Sequence, residues 1–131
     1  MSPCEVILDA STAVGERLWD DAAPERAHRA RAALFTPGEV AELCGRRNRG
    51  PASAARFWGK VAVRRALLRA GMPPVPVLRL QEIRLQSDRF GRPEVDLPAP
   101  AAEWLAGAGL GLDLSLSHAG RRVLAAAVVA P

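Results

Sequence analysis

Lysine is almost missing from this 131-residue chain: Lys60 is the only one, so arginine carries nearly all of the net charge of +4. An arginine-borne positive surface attracts polyanions, and charge alone leaves nucleic acid, nucleotide phosphate and acidic protein open as partners. Cysteine is equally scarce. Cys4 and Cys44 are too few for a disulfide framework and lack metal-ligand spacing, so both read as reduced thiols. No apolar run approaches the roughly 18 residues of a membrane span. The N-terminal MSPCEVILDAST carries acids where a secretory signal has a basic flank and an apolar core, which predicts a cytoplasmic protein with no membrane partner. The Gly-rich phosphate loop, zinc spacing and G-x-S-x-G elbow are all missing, which removes the commonest enzyme signatures. Aromatic residues form no stacking row, so a nucleic-acid partner has only the charge in its favour.

What is present suits one globular domain: 49% apolar residues, spread along the chain and interrupted by charge. Glu5 to Asp9 reads as a buried first strand ending in an acid. Ser11 or Thr12 can cap the segment after it, and Pro24-Glu25 opens a helix over PERAHRARAAL. Thr36-Pro37-Gly38-Glu39 has the pattern of a capping box at the head of a short helix to Cys44. GRRNRGP reads as a basic loop, and Ala52 to Ala70 as the longest helix, stopped by Gly71. VLRLQEIRLQ alternates like a strand with a slipped phase between Leu80 and Ile83. After the Asp88–Pro93 turn come a short strand at Glu94–Leu97 and a helix at Ala99–Ala106. A strand through Leu112, Leu114 and Leu116 and the run VLAAAVVA then form a hairpin. The predicted class is α+β, an antiparallel sheet packed on a long helix.

Three cations, Arg56, Lys60 and Arg64, fall on one face of the long helix at i, i+4, i+8. Such a row is ordinarily solvated. Here it holds the only lysine and follows a loop with Arg46, Arg47 and Arg49, a region able to bind a highly charged phosphate. His118 follows Ser115-Leu116-Ser117 at a strand end, where imidazole and hydroxyls can meet phosphate or sugar oxygens. Asp9 is either a satisfied turn acid or one ligand of a hard cation.

In order, Val6-Ile7-Leu8-Asp9, Leu34-Phe35-Thr36 with Glu39, Ala55-Arg56-Phe57-Trp58-Gly59-Lys60, Asp88 with Gly91-Arg92-Pro93, and Leu114-Ser115-Leu116-Ser117-His118 give the chain a pattern. It resembles the holo-acyl-carrier-protein synthase family of 4'-phosphopantetheinyl transferases. The resemblance implies that family's α+β fold and transfer of 4'-phosphopantetheine from coenzyme A to a serine of an acyl carrier protein. It implies a homotrimer with sites between subunits. It also assigns Asp9 to magnesium and catalysis, Arg56 and Lys60 to the coenzyme phosphates, and Ser117 and His118 to the nucleotide, with Lys60 and His118 in the catalytic set. Arg17, Arg26, Arg29 and Arg31 are expected to dock the acidic carrier.

The chain departs from the pattern at Val61, where the family has a metal-binding glutamate, and its first arginine, Arg17, comes late after the first strand. Valine offers no oxygen to Mg²⁺, so the metal site is expected to be impaired. The alternative is a repurposed domain that binds a carrier protein, or its tethered acyl group, without transfer, with Asp9 and His118 as acid/base candidates.

Overall fold

The computed structural model describes residues 2–131. Strand β1 (Cys4–Ser11) is followed by helices α1 (Ala13–Leu18), α2 (Pro24–Leu34), α3 (Pro37–Cys44) and α4 (Arg49–Arg69). A 3₁₀ turn (Leu80–Glu82) leads into β2 (Arg84–Ser87) and β3 (Pro93–Asp96), and α5 (Ala99–Gly107), β4 (Gly111–Ala119) and β5 (Arg122–Ala130) complete the chain. The α+β class with an antiparallel sheet on a long helix is the observed one.

The sheet has the order β1-β5-β4, antiparallel throughout, and β2-β3 is a separate two-stranded ribbon. Because side chains alternate along a strand, each strand has one dry and one wet row. Val6 and Leu8 of β1, Val123, Ala125, Ala127 and Val129 of β5, and Leu112, Leu114 and Leu116 of β4 make the dry face. Helix α4 covers it with Ala62, Val63, Ala66 and Leu67. Small residues fill that layer on both sides, Ala62 and Ala66 on the helix and Ala125 and Ala127 on the sheet, all at 0% exposure in one cluster, so helix and sheet pack closely. Burying each of the larger aliphatic side chains here is worth about 1.5–3 kcal/mol.

The far side of α4 carries a second cluster, Leu18, Phe35, Leu43 and Ala52, which seats α1 to α3. Helix α1 crosses α4 at Gly15 and Gly50: a Cβ on Gly15 would lie 1.9 Å from the Gly50 carbonyl oxygen, so only glycine permits the approach. Thr36 caps α3 as expected, its hydroxyl accepting from the Glu39 amide at 3.2 Å while Glu39 accepts from the Thr36 amide at 3.0 Å.

Two local expectations are corrected. VLRLQEIRLQ is not one strand: the slipped phase is the 3₁₀ turn, and pairing begins only at Arg84. The basic loop ends sooner, since α4 starts at Arg49. Of the two cap candidates before α1 the structure uses Ser11, whose Oγ accepts from the Ala13 amide at 3.0 Å, while Thr12 makes no capping bond.

Candidate functional site

A groove of about 220 Å³ opens where α4, the segment before it, the β2–β3 ribbon and the end of β4 converge. One wall is the first half of α4, with Ala52, Ala55 and Arg56. β2 contributes Leu85, Gln86 and Ser87, the β2–β3 turn contributes Gly91, and β3 contributes its first residue, Pro93. Leu116 and His118 come from the end of β4, and Arg46 from the segment before α4. Gly91 sits at φ +79°, a left-handed conformation that glycine adopts without strain, and this lets the turn fold back beside the groove. The lining holds two arginines and a histidine and no carboxylate. Those groups suit an anion.

Arg56 is the fixed cation. Only 7% of its side chain is exposed, and Glu42 grips it with two bonds, Nη2 to Oε1 at 2.6 Å and Nη1 to Oε2 at 3.1 Å. Nη2 of Arg46 donates to the same Glu42 Oε1 at 3.0 Å. Hydrogen bonding from Arg56, aided by the positive charge of both guanidiniums, holds the Glu42 carboxyl below its ordinary value. Glu42 therefore stays ionised between the two arginines.

Lys60 lies outside the groove lining. Its side chain is at 0% exposure, and Nζ donates to the Leu34 carbonyl and to Glu39 Oε1, both at 2.8 Å. Glu39 also accepts from the Leu85 amide at 3.1 Å, so this buried pair ties α3, α4 and β2 together beneath the groove. Burial pushes the ammonium of Lys60 down from its usual range and Glu39 opposes that shift. Lys60 is thus bonded within the scaffold and is not among the groove-lining residues. The predicted one-sided row is real but turned inward: the next member, Arg64, is half-buried and points Nη1 at the Leu78 carbonyl at 3.5 Å.

Ser117 and His118 are adjacent in sequence and so face opposite sides of β4. His118 shares the α4 side with Leu116 and enters the groove beside Arg56. Ser117 lies on the wet face, across Leu124 from Asp9 in register. Asp9 is likewise exposed there, with Oδ1 held by Arg122 at 2.6 Å. The expected joint site of Asp9, Lys60, Ser117 and His118 is thus divided among the wet face, the core and the groove.

The residues present do not fit a magnesium ion. Mg²⁺ is usually held by one or two carboxylates together with phosphate and water. Asp9 is engaged by Arg122 on the other side of the sheet, Glu39 is consumed by Lys60 and two backbone amides, and Val61 is buried at 7% exposure. Among the described residues no cluster of three or more His, Cys, Asp or Glu side chains is arranged to hold a metal.

Of the expected docking arginines, Arg17, Arg26 and Arg29 are exposed on α1 and α2. Arg31 is not free: Nη1 donates to the Leu18 carbonyl at 2.6 Å and its guanidinium stacks on Trp19. A larger cavity of about 580 Å³ lies between the proline-rich 72–78 segment and α5, but its only charged side chains are Glu82 and Glu103, which repel phosphate. Among the described residues no helix is long and apolar enough to cross a membrane. Cys4 and Cys44 are both free thiols.

No family profile matches the chain. A holo-[acyl-carrier-protein] synthase of Geotalea daltonii is 36% identical to it over 100 residues, 73% of this chain and 75% of that protein. The chain belongs to the holo-acyl-carrier-protein synthase family. The solved synthase of Neisseria meningitidis superposes with a TM-score of 0.77 at 23% identity, covering 97% of each chain. The Chronobacterium ammoniagenes synthase, solved as a coenzyme A complex, gives 0.74 at 23% identity, covering 98% of this chain and 97% of that one. These likenesses extend the synthase fold over 97–98% of the chain, and the family is one of transferases.

Within this synthase-family fold, the residues that motif reading passed over are Gln86 and Ser87 in the groove lining and Glu42, which holds Arg56 and Arg46 from outside it. Gln86 and Ser87 carry no local signal. Glu42 has one, its i, i+4 spacing to Arg46, but nothing in sequence links it to Arg56 fourteen positions on.

Proposed function

We propose that the chain transfers 4'-phosphopantetheine from coenzyme A to a serine hydroxyl of an acyl carrier protein, with the groove between α4, β2 and β4 as the coenzyme site. The observation that carries this reading is the meeting of Arg46, Arg56 and His118 in one groove free of carboxylates, in a chain of this family. The seryl oxygen attacks the phosphorus bearing the pantetheine arm. A new oxygen–phosphorus bond forms as the bond from that phosphorus to the pyrophosphate bridging oxygen breaks, and adenosine 3',5'-bisphosphate leaves. His118 receives the seryl proton, and Arg56, fixed by Glu42, faces the charge that develops on the leaving phosphate.

Without the carboxylate that Val61 replaces, this is a slow transferase: the several kcal/mol of charge stabilisation that a bound divalent ion would supply is weakened, while His118 still takes the proton. Arg17, Arg26 and Arg29, all exposed, offer an acidic carrier a complementary surface. The wet face of the sheet, with Ile7 at 57% and Leu124 at 47% exposure, is the surface for self-association into a homotrimer. A cytoplasmic location is part of the same reading.

The test is mass spectrometry of an apo carrier protein incubated with coenzyme A and the chain. Gain of the phosphopantetheine mass is expected, and no gain at stoichiometric enzyme would refute transfer. The burial of Lys60 and the hydrocarbon at position 61 favour a second reading, a domain that binds the carrier or its tethered acyl chain without transferring anything. That reading requires tighter binding of holo or acylated carrier than of the apo form.

A further inference from the structure

Away from the coenzyme groove, the edges of the two sheets face each other across a second groove. β4 ends the sheet order β1-β5-β4, and β3 is one side of the two-stranded ribbon. Among the described residues no backbone bond joins these two strands. The groove between them has a volume of about 640 Å³ and is also lined by Leu105 of α5. We propose that it takes an extended basic segment of another protein as an added strand on the free edge of β4. The Leu114 amide donates to Oδ1 of Asp113 at 2.9 Å, so it is turned away from β5. Backbone groups alternate in direction along an antiparallel strand, and the Leu112 amide is therefore turned the same way. Carbonyls of an incoming strand can bond Leu112 directly and displace Asp113 from Leu114.

The groove's own chemistry sets the pattern of that segment. Val95, Leu97, Leu110 and Leu112 line it and are only half-buried, so apolar side chains that dock there remove more of them from water. Its charged residues are Glu94, Asp96 and Asp113, with no cation among the lining. Asp96 is paired with Arg84, while Glu94 and Asp113 are exposed. Residues directly opposite in an antiparallel pair share a face. An apolar residue opposite Leu112 or Leu114 therefore faces inward, and the residue between them, opposite Asp113, is best filled by arginine or lysine. An acidic carrier protein is repelled from this edge. The self-association surface around Ile7 and Leu124 belongs to β1 and β5, so the two uses do not share a strand.

The experiment is fluorescence anisotropy of a fluorescein-labelled octapeptide of alternating valine and arginine, titrated with the full chain at low salt. Saturable binding is expected, tighter by roughly tenfold or more than that of the matching valine–glutamate peptide. N-methylation of the valine amides, which face β4, should abolish it, and N-methylation of the arginine amides should leave it within about twofold. The double variant Glu94→Gln, Asp113→Asn should weaken binding by roughly 3- to 20-fold. Asparagine keeps an oxygen for the Leu114 amide, so the melting temperature should match wild type. Equal effects of the two methylation patterns would overturn the edge pairing. Binding indifferent to the double variant would place the peptide elsewhere on the molecule and overturn the site. No saturable binding at millimolar concentrations of the chain would overturn the proposal outright.

Discussion

Replacing Lys60 by methionine separates a scaffold role from a phosphate-binding one. Methionine keeps the length and apolar stem of lysine and removes the ammonium, which leaves Glu39 buried at 6% exposure with two backbone donors, the Thr36 and Leu85 amides, and no cation. Removing one partner of a buried ion pair costs about 3–5 kcal/mol, because the remaining charge is uncompensated. That is a large share of the roughly 5–15 kcal/mol that separates folded from unfolded domains. With a urea slope near 1.5–2 kcal/mol/M, the unfolding midpoint of Lys60→Met should fall by roughly 2 M. Adding Glu39→Gln removes the stranded charge and should recover part of the loss, a coupling of the two sites of about 1–3 kcal/mol in a double-mutant cycle. Where Lys60→Met remains folded, its affinity for coenzyme A should stay within about threefold of wild type, since Nζ bonds Leu34 and Glu39 and not the groove. A variant as stable as wild type that had lost coenzyme affinity would refute this reasoning and return Lys60 to the phosphates.

The remaining predictions concern packing, charge and docking. Gly15→Ala must push α1 off α4, because its Cβ would meet the Gly50 carbonyl oxygen at 1.9 Å; a loss above about 3 kcal/mol in chemical denaturation is expected. Gly107→Ala meets nothing within 4 Å at the end of α5 and should stabilise by up to about 1 kcal/mol. Val61→Glu buries a carboxylate without a partner, so it should lower stability by about 3 kcal/mol or more and bring no magnesium-dependent rise in transfer; such a rise would show that position 61 can hold the metal after all. The native-state pKa of Glu42 lies below 4.5, chiefly through its hydrogen bond to Arg56, so its stabilising share is whole above 4.5 and is lost as pH falls through the native value. The stability gap between wild type and Glu42→Gln should accordingly shrink on acid titration. Charge reversal at Arg17, Arg26 and Arg29 together should slow carrier association by roughly tenfold or more at low salt and much less at high salt.

Local chemistry made much of the fold readable. The capping box at Thr36 and Glu39, the proline start of α2 and the alternation of Leu112, Leu114 and Leu116 each use only neighbours in sequence, and each is found in the structure. The 3₁₀ turn at Leu80–Glu82 left its mark as a slipped phase, but a bulge and a turn leave the same mark. Site residues were less legible because their roles depend on long-range partners. Lys60 and Arg56 look alike on a helical wheel, yet one meets Glu39 in the core and the other meets Glu42 at the groove.

Sequence by itself determined the class, the order of elements and the family, since hydrophobic period, caps and ordered motifs are all written along one dimension. It also set the chemical departure at Val61, where a hydrocarbon cannot ligate a metal. Only the tertiary structure decided which face each polar group occupies. Adjacent residues of a strand point in opposite directions, so Ser117 and His118 part company, and Asp9 turns to Arg122. A cation buried without a partner is too costly to persist, and so the helix row of Arg56 and Lys60 is bound first by the chain's own acids.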